Sequence, residues 1–133
     1  MKIAWIEDDA HIIASLTLPL ENEHAKIQKF ISVAEAKESL AAIAASDLIL
    51  LDVILPPGPG IDAQSRYPGR DLLREWRTAS VALPPVIVLT AVRNPDVLDD
   101  LRSLGVADVI TKPTLPSDLQ KRVHEVLDAR HPK

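Results

Sequence analysis

Apolar residues in this chain fall into unbroken runs and into stretches where they recur every three or four positions. Leu48-Ile49-Leu50-Leu51 and Val86-Ile87-Val88-Leu89 carry no polar alternation and lie next to proline-rich turns, so they predict strands buried on both faces. Lys2-Ile3-Ala4-Trp5-Ile6 and the stretch from Val106 to Thr111 predict two more strands, and the alternation in Ala25-Lys26-Ile27-Gln28-Lys29-Phe30 predicts a half-exposed one at a sheet edge. Helical spacing fills the intervals. Ile12, Ile13, Leu16 and Leu20 predict a helix from Ala10 with a kink or early stop at Pro19. The capping-box pattern Ser32-Val33-Ala34-Glu35 opens a helix over about 33–45, with Val33, Ala36, Leu40, Ile43 and Ala44 on one stripe. Leu72, Leu73 and Trp76 share a face, Pro95 starts a helix to Leu104 that Gly105 ends, and Pro116 or Ser117 opens a last one through Leu119, Val123, Val126 and Leu127. Between Pro56 and Gly69, four prolines and three glycines predict a long loop, with a short turn around Ala63-Gln64-Ser65.

Five strands alternating with five helices predict an α/β fold, a three-layer sandwich whose parallel sheet is covered on both faces by right-handed crossovers. The 133 residues fit one domain over 1–133 and show no repeat, low-complexity segment or linker. Trp5, Phe30, Tyr67 and Trp76 are the only aromatics, so the core is expected to be aliphatic, with both tryptophans in packing roles. A net charge of −4 without a basic run argues against direct nucleic-acid binding. Every apolar run falls far short of the roughly 20 residues that span a bilayer, and the first residues are too short and lightly charged for a secretory signal. A cytoplasmic protein is expected. The absence of cysteine excludes disulfides, thiolate metal sites and a thiol nucleophile.

In a parallel sheet all carboxyl ends share one edge, where ligands collect. Glu7 and Asp8 follow the first strand, Asp52 the third, Thr90 closes the fourth and Lys112 follows the fifth. Taken alone, Asp52 is as good a turn cap as a reacting group, Lys112 a solvated charge and Thr90 a satisfied strand end. Taken together, three converging carboxylates repel by roughly 4 kcal/mol per pair at about 4 Å in an effective dielectric of about 20. A hard divalent cation such as Mg2+ and the Lys112 ammonium would compensate, leaving a carboxylate as nucleophile toward a phosphoryl group and Thr90 as a donor to its oxygens. Asp9 is expected to cap a helix, and His11, His24, His124 and His131 to lie at the surface.

In this order, Trp5-Ile6-Glu7-Asp8-Asp9, Leu50-Leu51-Asp52-Val53-Ile54-Leu55-Pro56, Leu89-Thr90-Ala91 and Ile110-Thr111-Lys112-Pro113 resemble the receiver domain of two-component response regulators, of the chemotaxis-receiver type, over nearly the whole chain. Each motif is weak alone, and the ordered set is specific. The resemblance implies a flavodoxin-like strand order 2-1-3-4-5 and Asp52 as phosphoacceptor from a histidine kinase or phosphotransfer protein. It further implies that Asp8 binds Mg2+ directly, Glu7 largely through water, and the backbone carbonyl of Ile54 as another ligand. Lys112 would pair with the phosphoryl group, with a cis bond to Pro113. Thr90 would move toward the phosphorylated aspartate and drag the following loop, reshaping the surface that an effector protein reads.

Two positions depart from the family pattern. Val109 stands where the family usually has an aromatic that rotates inward as the threonine moves, and the loop at about 56–69 carries an insertion that includes Arg66 and Tyr67 and is followed by Arg70. A long loop beside a site suggests gating of that site or contact with a particular partner. Ile54 and Val92 flank the path of a hydrolysing water in the family and are apolar here, which implies a slowly hydrolysed aspartyl phosphate. The expected protein is a receiver with no output domain among these residues, a phosphoacceptor and not a turnover enzyme. Two alternatives stand beside it: a phosphorylation-independent receiver-like interaction module, and a Mg-dependent aspartyl-nucleophile phosphohydrolase, whose second aspartate is replaced here by Ile54.

Overall fold

A computed structural model describes residues 1–60 and 65–130. Its five strands are β1 (Lys2–Ile6), β2 (Lys26–Phe30), β3 (Leu48–Leu51), β4 (Val86–Thr90) and β5 (Asp108–Thr111). They form one parallel sheet of order β2-β1-β3-β4-β5. The helices are α1 (Leu18–Asn22), α2 (Val33–Glu38), α3 (Leu40–Ala44), α4 (Pro68–Thr78), α5 (Pro95–Ser103) and α6 (Pro116–Arg130), with a 3-10 turn at Ala14–Thr17 before α1.

Strand periodicity explains why the central runs need no polar positions. Ile3, Trp5, Leu48, Leu50, Ile87 and Leu89 pack on one side of the sheet with Leu20 of α1 and Leu119 and Val123 of α6. Ala4, Ile6, Ile49, Leu51, Val86 and Val88 face the other side, against Ile43, Leu72, Trp76, Val97 and Leu101 from α3, α4 and α5. Successive side chains thus enter opposite cores, which makes an unbroken apolar run the signature of a strand covered twice. Strand β2 lies at the edge and is half exposed, as its alternation predicts.

Two helices differ from expectation, and the division of the second raises the count from five to six. After Asp9 the chain makes turns and a 3-10 segment before α1 begins at Leu18. Pro19 sits in the first turn of α1, where its missing N–H leaves no intrahelical bond unmade, so it starts this helix instead of ending one. Ile12, expected on the inward stripe, is 82% exposed, while Ala10 and Leu20 carry the burial. Asp9 caps no helix: its main-chain carbonyl accepts from the amides of Ile12 and Ile13, both at 2.9 Å. The expected helix over 33–45 breaks at Ser39, whose amide is shared between the carbonyls of Glu35 and Ala36, at 3.1 and 3.2 Å.

The capping box is present, with the Glu35 amide donating to Ser32 Oγ at 3.1 Å. Gly105 ends α5 with φ of 78°, a conformation that favours glycine. His11 and His24 are exposed and His124 is half-buried against Glu23, while His131 and most of the expected turn at 63–65 lie outside the described residues.

Candidate functional site

The sheet's register carries the chemistry to one place. Ile6 pairs with Leu51 and Thr90 with Thr111, so Glu7 and Asp52 emerge side by side and Lys112 follows the partner of Thr90. Main-chain bonds extend each ladder one residue further: Glu7 N donates to Phe30 O at 2.9 Å, Asp52 N to Ile6 O at 2.9 Å, and Lys112 N to Thr90 O at 2.8 Å. Glu7, Asp52 and Lys112 therefore stand one residue past their strands, held to the sheet by main-chain bonds.

Lys112 Nζ bridges two carboxylates, pairing with Glu7 Oε1 and lying 3.1 Å from Asp52 Oδ2. Asp52 Oδ1 accepts the Ile54 amide at 3.2 Å, which turns the main chain of residue 54 against the carboxylate. One carboxylate oxygen each from Glu7, Asp8 and Asp52 lies within 4.8 Å of the others. Glu7 and Asp52 are buried, and Asp8 is exposed at the rim. Thr90 is fully buried, its Oγ1 accepting the Val92 amide at 3.3 Å. The Lys112-Pro113 peptide is cis, as the resemblance implied. The structure thus brings together Glu7, Asp8, Asp52, Ile54 and Lys112, while Thr90 joins them through its main-chain bond to Lys112.

Burial, the adjoining Asp52 and Asp8 push the Glu7 carboxyl up to about 8, against the lowering pull of Lys112. Burial also works against the Lys112 ammonium, but Glu7 and Asp52 outweigh it and hold its pKa above the ordinary value. One lysine thus only partly neutralises three carboxylates. Glu7 Oε2 is buried without a hydrogen-bond partner among the described residues. A buried lone pair beside two further carboxylates fits a hard, oxygen-seeking cation such as Mg2+.

Beyond Asp52 the chain is docked at both ends of its long irregular stretch. The carbonyls of Pro56 and Pro57 accept the first two amides of α2, from Val33 and Ala34, at 3.1 and 2.9 Å. Gly58 packs on the same helix start, where a Cβ would stand 2.8 Å from Ser32 Oγ. At the far end Gly69 N donates to Val53 O at 2.8 Å, bringing α4 against the Asp52 main chain. Sequence reasoning missed this seat of Gly69. The available signal was a glycine inside a helix start, where propensity gives it no purpose. It also missed Arg93, whose Nη2 donates to Lys112 O at 3.1 Å, a contact between distant segments that no local pattern announces.

A sheet of this order with its charged groups at the carboxyl edge defines a flavodoxin-like α/β protein. Within that class the chain belongs to the response regulator receiver domain family, whose sequence model matches residues 3–124. It is similar to the transcriptional regulatory protein QseB of Escherichia coli O157:H7, with 33% identity over 131 residues, covering 96% of this chain and 53% of that protein. It is also similar to the transcriptional regulatory protein PdtaR of Mycobacterium tuberculosis, with 31% identity over 118 residues, covering 89% of this chain and 52% of that protein. The chain spans about half the length of these curated relatives. Among solved structures it resembles the BeF3-activated N-terminal receiver domain of Klebsiella pneumoniae RstA, with TM-score 0.74 and 27% identity over 96% of this chain and 98% of that one. A two-component response regulator from Clostridium difficile, TM-score 0.78 at 22% identity over 100% of this chain and 99% of that one, supports the fold alone.

Proposed function

We propose that this receiver, acting as one unit over 1–133, accepts a phosphoryl group on Asp52 in a Mg2+-dependent reaction and signals through protein binding. The observation that carries the reading is the Lys112 ammonium, 3.1 Å from Asp52 Oδ2 and paired with Glu7 at the carboxyl edge of the sheet. In the transfer, an Asp52 carboxylate oxygen attacks phosphorus. The bond from phosphorus to the imidazole nitrogen of a phosphohistidine breaks, and the imidazole leaves with the electron pair. Lys112 stands where it can stabilise the charge on the phosphoryl oxygens, preorganised by its two carboxylate partners. Glu7, Asp8, Asp52 and the Ile54 carbonyl would hold Mg2+, which supplies further positive charge to the phosphoryl oxygens. Thr90 Oγ1, one strand away, donates to a phosphoryl oxygen once the group is in place.

The donor is a cytoplasmic histidine kinase or phosphotransfer protein, so the reading places this protein in the cytoplasm. Three loops at the carboxyl edge expose large apolar side chains, Ile12 at 82%, Ile54 at 50% and Leu115 at 64%, a surface suited to a protein donor. Among the described residues no helix is long and apolar enough to cross a membrane. The output is contact with an effector protein. Beryllofluoride, a phosphoryl analogue, tests the site: with Mg2+ it is expected to shift the NMR signals of Thr90 and Lys112 in the wild type and not in Asp52→Asn. Unchanged signals in the wild type contradict the reading and favour a phosphorylation-independent module, for which Val109, a half-buried aliphatic without a ring to rotate, is the supporting observation.

A further inference from the structure

The main chain of Lys112 is fastened on both sides to a single four-residue segment, Thr90 to Arg93. Its amide donates to Thr90 O at 2.8 Å, the last regular ladder bond between β4 and β5. In a parallel ladder, the residue whose N–H bonds one carbonyl offers its own carbonyl to the N–H two residues further along the neighbouring strand. For Lys112 that donor is Val92. Val92 N is instead turned back to Thr90 Oγ1 at 3.3 Å, which leaves the Lys112 carbonyl without its ladder partner. Arg93 fills the place, its Nη2 donating to Lys112 O at 3.1 Å.

We propose that Arg93 is a positioning residue for phosphoryl acceptance: its guanidinium replaces the missing ladder donor and holds the Lys112 main chain so that Nζ stays between Glu7 and Asp52. The inference rests on the reading of Asp52 as phosphoacceptor and adds a residue outside the carboxylate cluster. Several features assign the contact to this role. The following residue is Pro113, which has no amide with which to anchor this end of the strand. Strand β5 is the sheet's last, so no further strand steadies its outer side. Arg93 makes no ion pair among the described residues, so its one described bond is to the carbonyl of Lys112. A guanidinium keeps its charge across the working pH range and offers several donors, which makes it a dependable substitute for one main-chain N–H.

The test is a double-mutant cycle read by the rate of phosphorylation from acetyl phosphate with Mg2+. Arg93→Ala is expected to slow phosphorylation about threefold to tenfold, the worth of one positioning hydrogen bond. Arg93→Lys, which keeps a donor and a charge, should recover part of the loss. In the Lys112→Ala background, adding Arg93→Ala should leave the residual rate unchanged, because Arg93 acts through Lys112. General damage to the fold would instead slow both backgrounds alike. Phosphorylation of Arg93→Ala at the wild-type rate, or an equal loss in both backgrounds, overturns the inference alone. A wild type that takes no phosphoryl group overturns the phosphoacceptor reading and this inference with it.

Discussion

Gly69 lies against Asp52 so closely that a Cβ on it would overlap the Asp52 carbonyl oxygen and stand 2.9 Å from Val53 Cα. The contact joins the start of α4 to the residue that bears the carboxylate, and it is main chain on main chain, so neither side has a flexible end to give way. Gly69→Ala is therefore expected to destabilise the fold by about 1–3 kcal/mol, the usual cost of overpacking a close contact. It should also slow phosphorylation, because relief of the overlap moves Asp52. Urea unfolding with paired phosphorylation rates checks both, and a variant as stable and as reactive as the wild type contradicts the relationship.

Glu7 gives the metal-free protein a characteristic pH response. Its ordinary value is 4.5 and the folded site pushes it up to about 8, so between those values the folded state holds a proton that the unfolded state has released. Stability contributed through Glu7 is highest below pH 4.5 and falls as pH rises through the window to about 8. In EDTA the wild type should lose stability relative to Glu7→Gln across that window. Parallel stability curves for the two proteins contradict this assignment.

If Asp52 accepts the phosphoryl group as proposed, two apolar neighbours set the lifetime of the phosphorylated form. Ile54 is half exposed beside Asp52 and Val92 is buried beside Thr90, and neither side chain can orient an attacking water. Ile54→Asn or Val92→Glu should shorten the half-life of the aspartyl phosphate several-fold, an effect on the scale of one hydrogen bond to that water. An unchanged half-life in both variants removes the explanation.

One face of α4 carries a row of arginines that clasps α5. Arg70 Nε lies 3.6 Å from Asp100 Oδ2, Arg74 pairs with the same carboxylate, and Arg77 Nε donates to Leu104 O at 2.9 Å where α5 ends. The clasp ties α4 to α5, the helix that follows the Thr90 loop, and a restraining role for it is testable. Arg77→Ala is expected to cost about 0.5–1.5 kcal/mol of stability and to enlarge the phosphorylation-dependent shifts of α5 in NMR spectra. Loss of stability without a change in those shifts contradicts a restraining role.

Much of this arrangement was legible because it follows from strand period and register. Runs such as Leu48 to Leu51 announce double burial, and once the sheet is parallel, residues one step past each strand must meet, as Glu7, Asp52 and Lys112 do. Helix boundaries were less legible. Ile12, Ile13, Leu16 and Leu20 suit a continuous helix as well as a turn followed by a proline-started one, and only the buried Ala10 and Leu20 decide between them. The break at Ser39 leaves no mark on the apolar stripe, since Val33, Ala36 and Ile43 still reach one core. Gly69 and Arg93 act through main-chain atoms of distant residues, and hydrophobic pattern carries no information about such contacts.

Intact mass spectrometry after incubation with Mg2+ and acetyl phosphate tests the central claim most directly. The wild type should gain one phosphoryl group, and none when Mg2+ is left out of the reaction, while Asp52→Asn should gain none in either case. An adduct on both proteins, or on neither, contradicts Asp52 as the phosphoacceptor.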